Sequence, residues 1–319
     1  MSAFVKYLKE YGIKCTIAML LFRLFKKNKS NSNIKNAITQ YKHKVIYDYI
    51  MSYYSDKFDI KKTNTGDKLE GCIWTAWLQG EENAPEVIQL TIASMRKHAN
   101  GHRVVVLTND NVDDYIEIPS IIKTKHSNGI MGHAHYSDVI RIMILAKYGG
   151  VWLDATIFIN TPIDEKAFVS PFYSIGFSSN KKSEYVSDHK WIVVILGGCK
   201  QSIYLYDIAH MLTSYWEEHI IPIDYFVFDY IISALYSRNI DFHDIVDSLE
   251  KQKRFTYELS LIINEPFNDN IMNGLVSQNC FYSLSYKKNY IKKTKEGSLT
   301  NYGYLYDQYL SCTQEEIKR

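Results

Sequence analysis

The sequence predicts an α/β fold built on a largely parallel sheet, with added helices at both ends. Three observations carry this. Short β-branched runs alternate with helix-spaced stretches over residues 71–160, the order that feeds a parallel sheet. The 319 residues are 46% hydrophobic and 14% aromatic, which suits a sizeable core and not a disordered chain. In YSDVIRIMILAKYGGVWLDATIFIN, residues 136–160, a lone Asp stands inside a strand-like run, where a buried strand should carry no charge.

Residues 1–70 read as helical and close in the polar stretch KKTNTGDKLEG, a segment boundary. The first thirty residues carry seven Lys/Arg against one acid, Glu10, so a local charge of +6 sits on a chain whose formal total is +2. Ile17–Phe25, IAMLLFRLF, is the most apolar run there, interrupted by Arg23. It falls short of the ~20 residues that span a bilayer, and it lacks a small-residue cleavage site of signal-peptide type. Two readings stay open: a basic helix lying on an anionic membrane surface, or a helix packed on the core.

The pattern then changes. Ile73–Leu78 (IWTAWL) reads as a first buried strand. Pro85–His98 has helical spacing, with Val87, Ile88, Leu90, Ile92 and Met95 apolar. Arg103–Leu107 is a second strand and Asn109-Asp110-Asn111 a turn-rich tip. Ser137 and Asp138 are expected to cap a helix that runs to about Tyr148, and Gly149-Gly150 to stop it. Val151–Ile159 is the next strand. Beyond Lys200, helices at Ser202–His219 and Tyr225–Tyr236 mix with loops. The chain thus divides into 1–70, an N-terminal helical, basic segment; 71–200, the α/β core; and 201–319, a helical C-terminal region.

Several classes drop out. There is no internal repeat, no Walker-type loop and no GxGxxG. A total charge of +2 gives no pull toward nucleic acid. The five cysteines (Cys15, Cys72, Cys199, Cys280 and Cys312) show no CxxC or Cys/His metal spacing, which points to a reducing compartment without a disulfide framework.

Side chains alternate along a strand. Val151, Leu153, Ala155 and Ile157 fall on one face, and Trp152, Asp154 and Thr156 on the other. Asp154 must therefore end its strand in a solvated cleft or meet a cation. Asp138 and Arg141, three apart on a helix, share a face, and the Gly-Gly turn brings the strand back beside them. Carboxylates joined by substrate phosphates are the usual way to hold an ion of the Mg²⁺ kind, and such an ion stabilises charge on a departing diphosphate. Each piece also has a plainer reading: helix cap with ion pair, strand-end acid, helix stop. Only the ordered set is specific.

That ordered set, SDVIRIMILAKYGGVWLDAT, resembles the core of glycosyltransferases that carry a D-x-D motif after SDxxRxxxLxxYGGxxxD. The group, which is glycosyltransferase family 32-like, includes capsular polysaccharide synthesis transferases, α-mannosyltransferases and the glucosyltransferase domains of large clostridial toxins. IWTAWLQGEENAPE, DYFVFDYII (224–232) and SLSYKKN (283–289) resemble the capsular branch more loosely, so the resemblance spans about Cys72 to Asn289. It implies a GT-A fold, a Rossmann-like core that binds a nucleotide-sugar, here a UDP-sugar, and a divalent metal, Mn²⁺ or Mg²⁺. Asp138 and Arg141 would bind the donor sugar. Asp154 would be the first acid of D-x-D and, with Thr156, would hold the metal. Trp77 would stack on the base, Asn111 would touch base or ribose, and Trp152 would line the donor site. Tyr286 and Lys287 would close on the diphosphate. The motif departs from the family at its second acid, which is Thr156. A hydroxyl is a poorer ligand than a carboxylate, so metal is held more weakly or through water.

The resemblance further implies retention at the anomeric carbon, with Asp138, Arg141 and Asp154 as the catalytic set. Retaining glycosidases use a second carboxylate as nucleophile, and the sequence offers no equivalent. A front-face reaction, in which the departing phosphate oxygen takes the acceptor's proton, leaves positioning and electrostatics to the protein. His133 and His135, in MGHAHYSD, read as cleft entrance or surface loop, with His189 weaker. Asp224 and Asp229 read as facing the acceptor, or as helix-capping or core-edge acids. The lysines at 287, 288, 292, 293 and 295 bind diphosphate or form a solvated basic tail.

Three functions follow. The first is transfer to a lipid-linked saccharide in capsular or exopolysaccharide synthesis, from the cytoplasm or the inner face of the membrane. The second is protein modification, as the toxins perform. The third is a non-catalytic nucleotide-sugar or membrane-scaffold role. UDP-galactose, UDP-glucose and UDP-N-acetylhexosamines all remain open as donors.

Overall fold

The computed structural model describes residues 3–25, 32–54, 71–177, 185–252, 257–276 and 281–311. Two long helices come first, α1 (Ala3–Phe25) and α2 (Ser32–Tyr53), packed on each other. The α/β core follows: β1 (Ile73–Ala76), α3 (Glu86–Lys97), β2 (Val104–Leu107), α4 (Val112–Tyr115), α5 (Ser120–Ser127), α6 (His133–Tyr148), β3 (Gly150–Leu153), β4 (Ile157–Ile159), α7 (Lys166–Val169), β5 (Gly176–Phe177) and β6 (Ile195–Gly198). Then come α8 (Ile203–Glu218), α9 (Val227–Arg238), α10 (Ile240–Asp247), β7 (Lys251–Gln252), α11 (Glu258–Ile262), α12 (Asp269–Val276), β8 (Phe281–Ser283) and α13 (Asn301–Tyr306). No helix among the described residues is long and apolar enough to cross a membrane.

The main sheet has the order β2-β1-β3-β6. β1 runs parallel to β2 and β3, with Ile73 opposite Val104 and Val151; β6 joins β3 antiparallel. This is the mixed, mostly parallel α/β sheet that the alternating runs predict. Both faces are covered, as a parallel sheet requires. Trp74 and Trp152 point into one core with α6, α8, α9 and the N-terminal helices. Ile73, Val151 and Leu153 point into another. Tyr7, Ile46 and Ile50 from the first segment share the first core with Ile140, Leu212 and Ile231. Residues on either side of positions 70 and 200 therefore share one core.

Four boundaries move. β1 ends at Ala76, although Trp77 N still donates to Leu107 O at 2.9 Å; Leu78 already lies in a turn. α6 starts four residues before Ser137, from an extended Gly132 whose carbonyl accepts Tyr136 N. Ser137 and Asp138 thus sit one turn inside the helix and cap nothing. The strand over Val151–Ile159 breaks in two. Asp154 N makes a last sheet bond to Val194 O, then residues 154–156 turn, closed by Ile157 N to Asp154 O at 2.8 Å. β4 leaves to pair with β8. Finally, α9 begins at Val227, because the Asp224 carboxylate accepts Phe226 N ahead of it.

Candidate active site

The helix-to-strand turn aims the site. Gly149 and Gly150 take φ of 66° and 91°, and a Cβ on Gly150 would strike Cys72 O. Only glycine fits both the conformation and the contact. The chain passes in two residues from the end of α6 to β3, so Asp138 and Arg141 lie beside the end of that strand.

Arg141 is buried, with 3% of its surface exposed. Its Nη2 donates to Asp154 Oδ1 at 2.6 Å. Its Nη1 lies 3.0 Å from Asp138 Oδ1, within ion-pair distance but off the line of a hydrogen bond. The guanidinium stands over the rings of Trp152 and Phe228, at 5.3 and 5.8 Å. Trp152 Nε1 also donates to Asp154 Oδ1, at 2.7 Å. Two donors hold that one oxygen. No described side chain hydrogen-bonds Asp154 Oδ2.

Burial raises the Asp138 carboxyl to about 6. Arg141 opposes the rise and Asp154 adds to it, because one guanidinium serves two carboxylates. Asp229, on α9, is raised to about 7, by burial first and then by Asp138, while its bond from Trp191 Nε1 (3.1 Å) works the other way. The Tyr225 hydroxyl is raised by partial burial and then by Asp138 and Asp154. Asp138 and Asp154 thus pair with Arg141, and Asp229 and Tyr225 lie within electrostatic reach of it. Trp191 and Asp229 also line a cavity of about 240 Å³ with Val194, the residue bonded to Asp154. A roomier cavity of about 330 Å³, lined by Met143, Tyr206 and His210, contains none of these groups.

The other sequence candidates divide. Trp77 follows the end of β1, and its ring meets Tyr286 edge-on at 5.6 Å. Its buried Nε1 has no partner among the described residues. β8 carries Tyr286 and Lys287 to this place: it pairs with β4, Leu284 N donates to Thr156 O at 2.8 Å, and Tyr290 pins the Ser285 backbone. Trp77, Thr156, Tyr286 and Lys287 therefore gather at the sheet's carboxyl end, where open α/β sheets bind ligands. Asn111 is otherwise engaged. Its Oδ1 accepts Thr108 N and its Nδ2 donates to Val106 O, so one Nδ2 hydrogen is left for a ligand. Trp152 is 1% exposed and supports Arg141 and Asp154 from beneath.

The surface-loop reading of the histidines is corrected, since both lie on a helix; His133 is exposed there. His133 and His135 form the first turn of α6, and His135 is buried, with Nε2 at 3.1 Å from Tyr225 O and its pKa lowered by burial. Asp224 is also buried, paired with Lys42 at 2.9 Å. What sequence reasoning missed is the Trp191–Asp229 bond, which joins residues 38 apart with no motif between them.

A family model described as "Capsular polysaccharide synthesis protein" matches residues 26–304. The chain belongs to this family. No curated protein matches it in sequence. Among solved structures it is similar to a "PaToxG Glycosyltransferase", at 12% identity and TM-score 0.38, over 67% of this chain and 83% of that one. It is also similar to a "WbbM bifunctional glycosytransferase apo structure", at 8% identity and TM-score 0.42, over 95% of this chain and 64% of that one.

In this member of the capsular polysaccharide synthesis family, the oxygens that suit a hard cation are few. Among the described residues no three His, Cys, Asp or Glu side chains form a metal cage. Asp154 Oδ2 and the Thr156 hydroxyl remain, both hard donors without a described hydrogen-bond partner. Two such ligands fit an ion of the Mg²⁺ or Mn²⁺ kind if water and phosphate oxygens complete its shell. With Arg141 already on Asp154, the local charge is too small to hold the ion alone.

Proposed function

We propose that the chain is a retaining glycosyltransferase of GT-A type. It moves a sugar from a UDP-sugar to a saccharide acceptor, lipid-linked, in capsular or exopolysaccharide synthesis. It works from the cytoplasmic side, at the inner face of the membrane. The observation that carries this reading is the buried Arg141, set between Asp138 and Asp154 at the carboxyl end of β3.

Arg141 directs positive charge at the place where a donor's diphosphate and sugar meet, in a site too dry to screen it. Trp152 and Arg141 fix Asp154 through Oδ1 and leave Oδ2 outward. Asp138 faces the donor sugar and orients its hydroxyls. Trp77 and Tyr286 offer rings to the base, and Lys287 lies beside Tyr286, its Nζ 5.7 Å from that ring, to meet the phosphates. A divalent ion on Asp154 and Thr156 would supply the remaining neutralisation of the leaving diphosphate. Asp229, its carboxyl raised to about 7 by burial and so shared between its two forms near neutral pH, can donate as well as accept, which suits a sugar hydroxyl better than it suits a metal.

The test is UDP release from UDP-glucose, UDP-galactose and UDP-N-acetylhexosamines, with and without Mn²⁺, and the anomeric form of the released sugar by NMR. One donor turned over slowly with its configuration kept supports the reading. Turnover of none, with no binding of any, overturns it. Binding without turnover would favour the scaffold role.

A further inference from the structure

We propose that the second half of α1, from Ile13 to Phe25, is a docking face for an anionic bilayer. The helix is broken at Gly12, whose φ of 74° and ψ of 179° are not helical, so the residues after it form a run with faces of their own. Cys15, Thr16 and Ala18 turn inward and are buried. Ile13, Ile17, Leu20 and Leu24 turn outward, with 60, 44, 38 and 71% of their surfaces exposed. Spacings of four, three and four put these on one stripe. A contiguous exposed stripe of large aliphatics is an interaction site, not ordinary surface.

The charges beside it select the partner. Lys14 and Arg23, both exposed, flank the stripe. The first thirty residues contain one acid, Glu10, and its carboxylate is taken up by the backbone N–H of Ile220 at 2.5 Å. An apolar line one helix wide with cations along its edges matches the boundary between acyl chains and anionic headgroups. A second copy of the chain fits worse, because a two-fold contact through this stripe would set Lys14 and Arg23 against the same cations.

The face has a use if the transferase reading holds, on which only this use depends. Leu20 and Arg23 also line a cavity of about 260 Å³ together with Ile223, Asp224 and Tyr225. Tyr225 lies within electrostatic reach of Asp138 and Asp154. Docking the stripe therefore sets the approach to the cleft at the bilayer surface.

The experiment is co-flotation of the full chain with vesicles of phosphatidylcholine alone, or mixed equally with phosphatidylglycerol. The expected result is about tenfold or more preference for the anionic vesicles, weakened by salt. The double variants Ile17→Glu/Leu24→Glu and Lys14→Glu/Arg23→Glu should each lose about tenfold in partitioning, with circular dichroism and UDP-sugar turnover unchanged. Should the apolar pair misfold, Ile17→Cys carrying an environment-sensitive dye replaces it, and a blue shift on anionic vesicles alone is expected. Equal partitioning into both vesicles, variants that bind like wild type, a dye that does not respond, or a wild-type dimer that the apolar pair splits would each overturn the proposal. Because binding is read without turnover, failure here leaves the transferase reading standing, and the reverse.

Discussion

Arg141 is buried with carboxylates on two sides, so its removal leaves both uncompensated. Arg141→Ala should cost about 3–5 kcal/mol of stability, the usual penalty for stranding a buried charge, and urea unfolding will measure it. Asp229 gives a pH signature. Its carboxyl stands raised to about 7 in the folded chain, against an unfolded value near 3.9. The folded state therefore holds the proton more tightly. The stability this contributes is full below about pH 4 and is lost as pH rises toward 7. Asp229→Asn removes that dependence, so the variant should match wild type near pH 5 more closely than near pH 8, where it should be the more stable by about 1–2 kcal/mol. Thermal melts across this range will show it; a constant difference would contradict the assignment. The three groups at the centre were legible because helix spacing and a strand acid are local patterns. The burial of Asp229 and His135, both named as candidates, was not, since it depends on what a distant segment lays over them.

The α6–β3 connection is the element that makes the site. Gly150 needs φ of 91° with Cys72 O where a side chain would begin. Gly150→Ala should lose about 2–4 kcal/mol, more than the cost of an ordinary surface change, and its urea midpoint will report it. The glycine pair could be read in the sequence as a helix stop. That β3 ends at Leu153 could not, because VWLDATIFI is β-prone throughout. The break follows from tertiary partners: Val194 takes the last sheet bond at Asp154, and β8 captures the residues beyond Thr156. In α6, likewise, Ser137 and Asp138 look like caps only if the four residues before them are not helical. They are helical, because the chain enters α6 from the extended Gly132.

At the scale of the molecule, the N-terminal helices are part of the core. Lys42, 1% exposed, reaches from α2 to Asp224 in the loop that leads to Tyr225 and α9. Lys42→Ala should destabilise by about 3–5 kcal/mol, while Lys42→Met with Asp224→Leu should cost much less, since it strands no charge. A single cooperative transition in both is expected if the segments share one core. Such pairing across 182 residues has no trace in the sequence. The alternation of strands and helices, by contrast, determined the sheet, because local periodicity and the short connections of α/β units leave few topologies. The central claim is that the turn at Asp154, gripped by Arg141, is a donor site whose metal is held jointly with the diphosphate. Calorimetric titration of UDP into wild type and Asp154→Ala, each with and without Mn²⁺, tests it most directly. The account predicts that Mn²⁺ tightens UDP binding to wild type by about tenfold or more, and that the gain vanishes in Asp154→Ala while the fold persists. Equal UDP affinity in both proteins, with the same response to Mn²⁺, would contradict it.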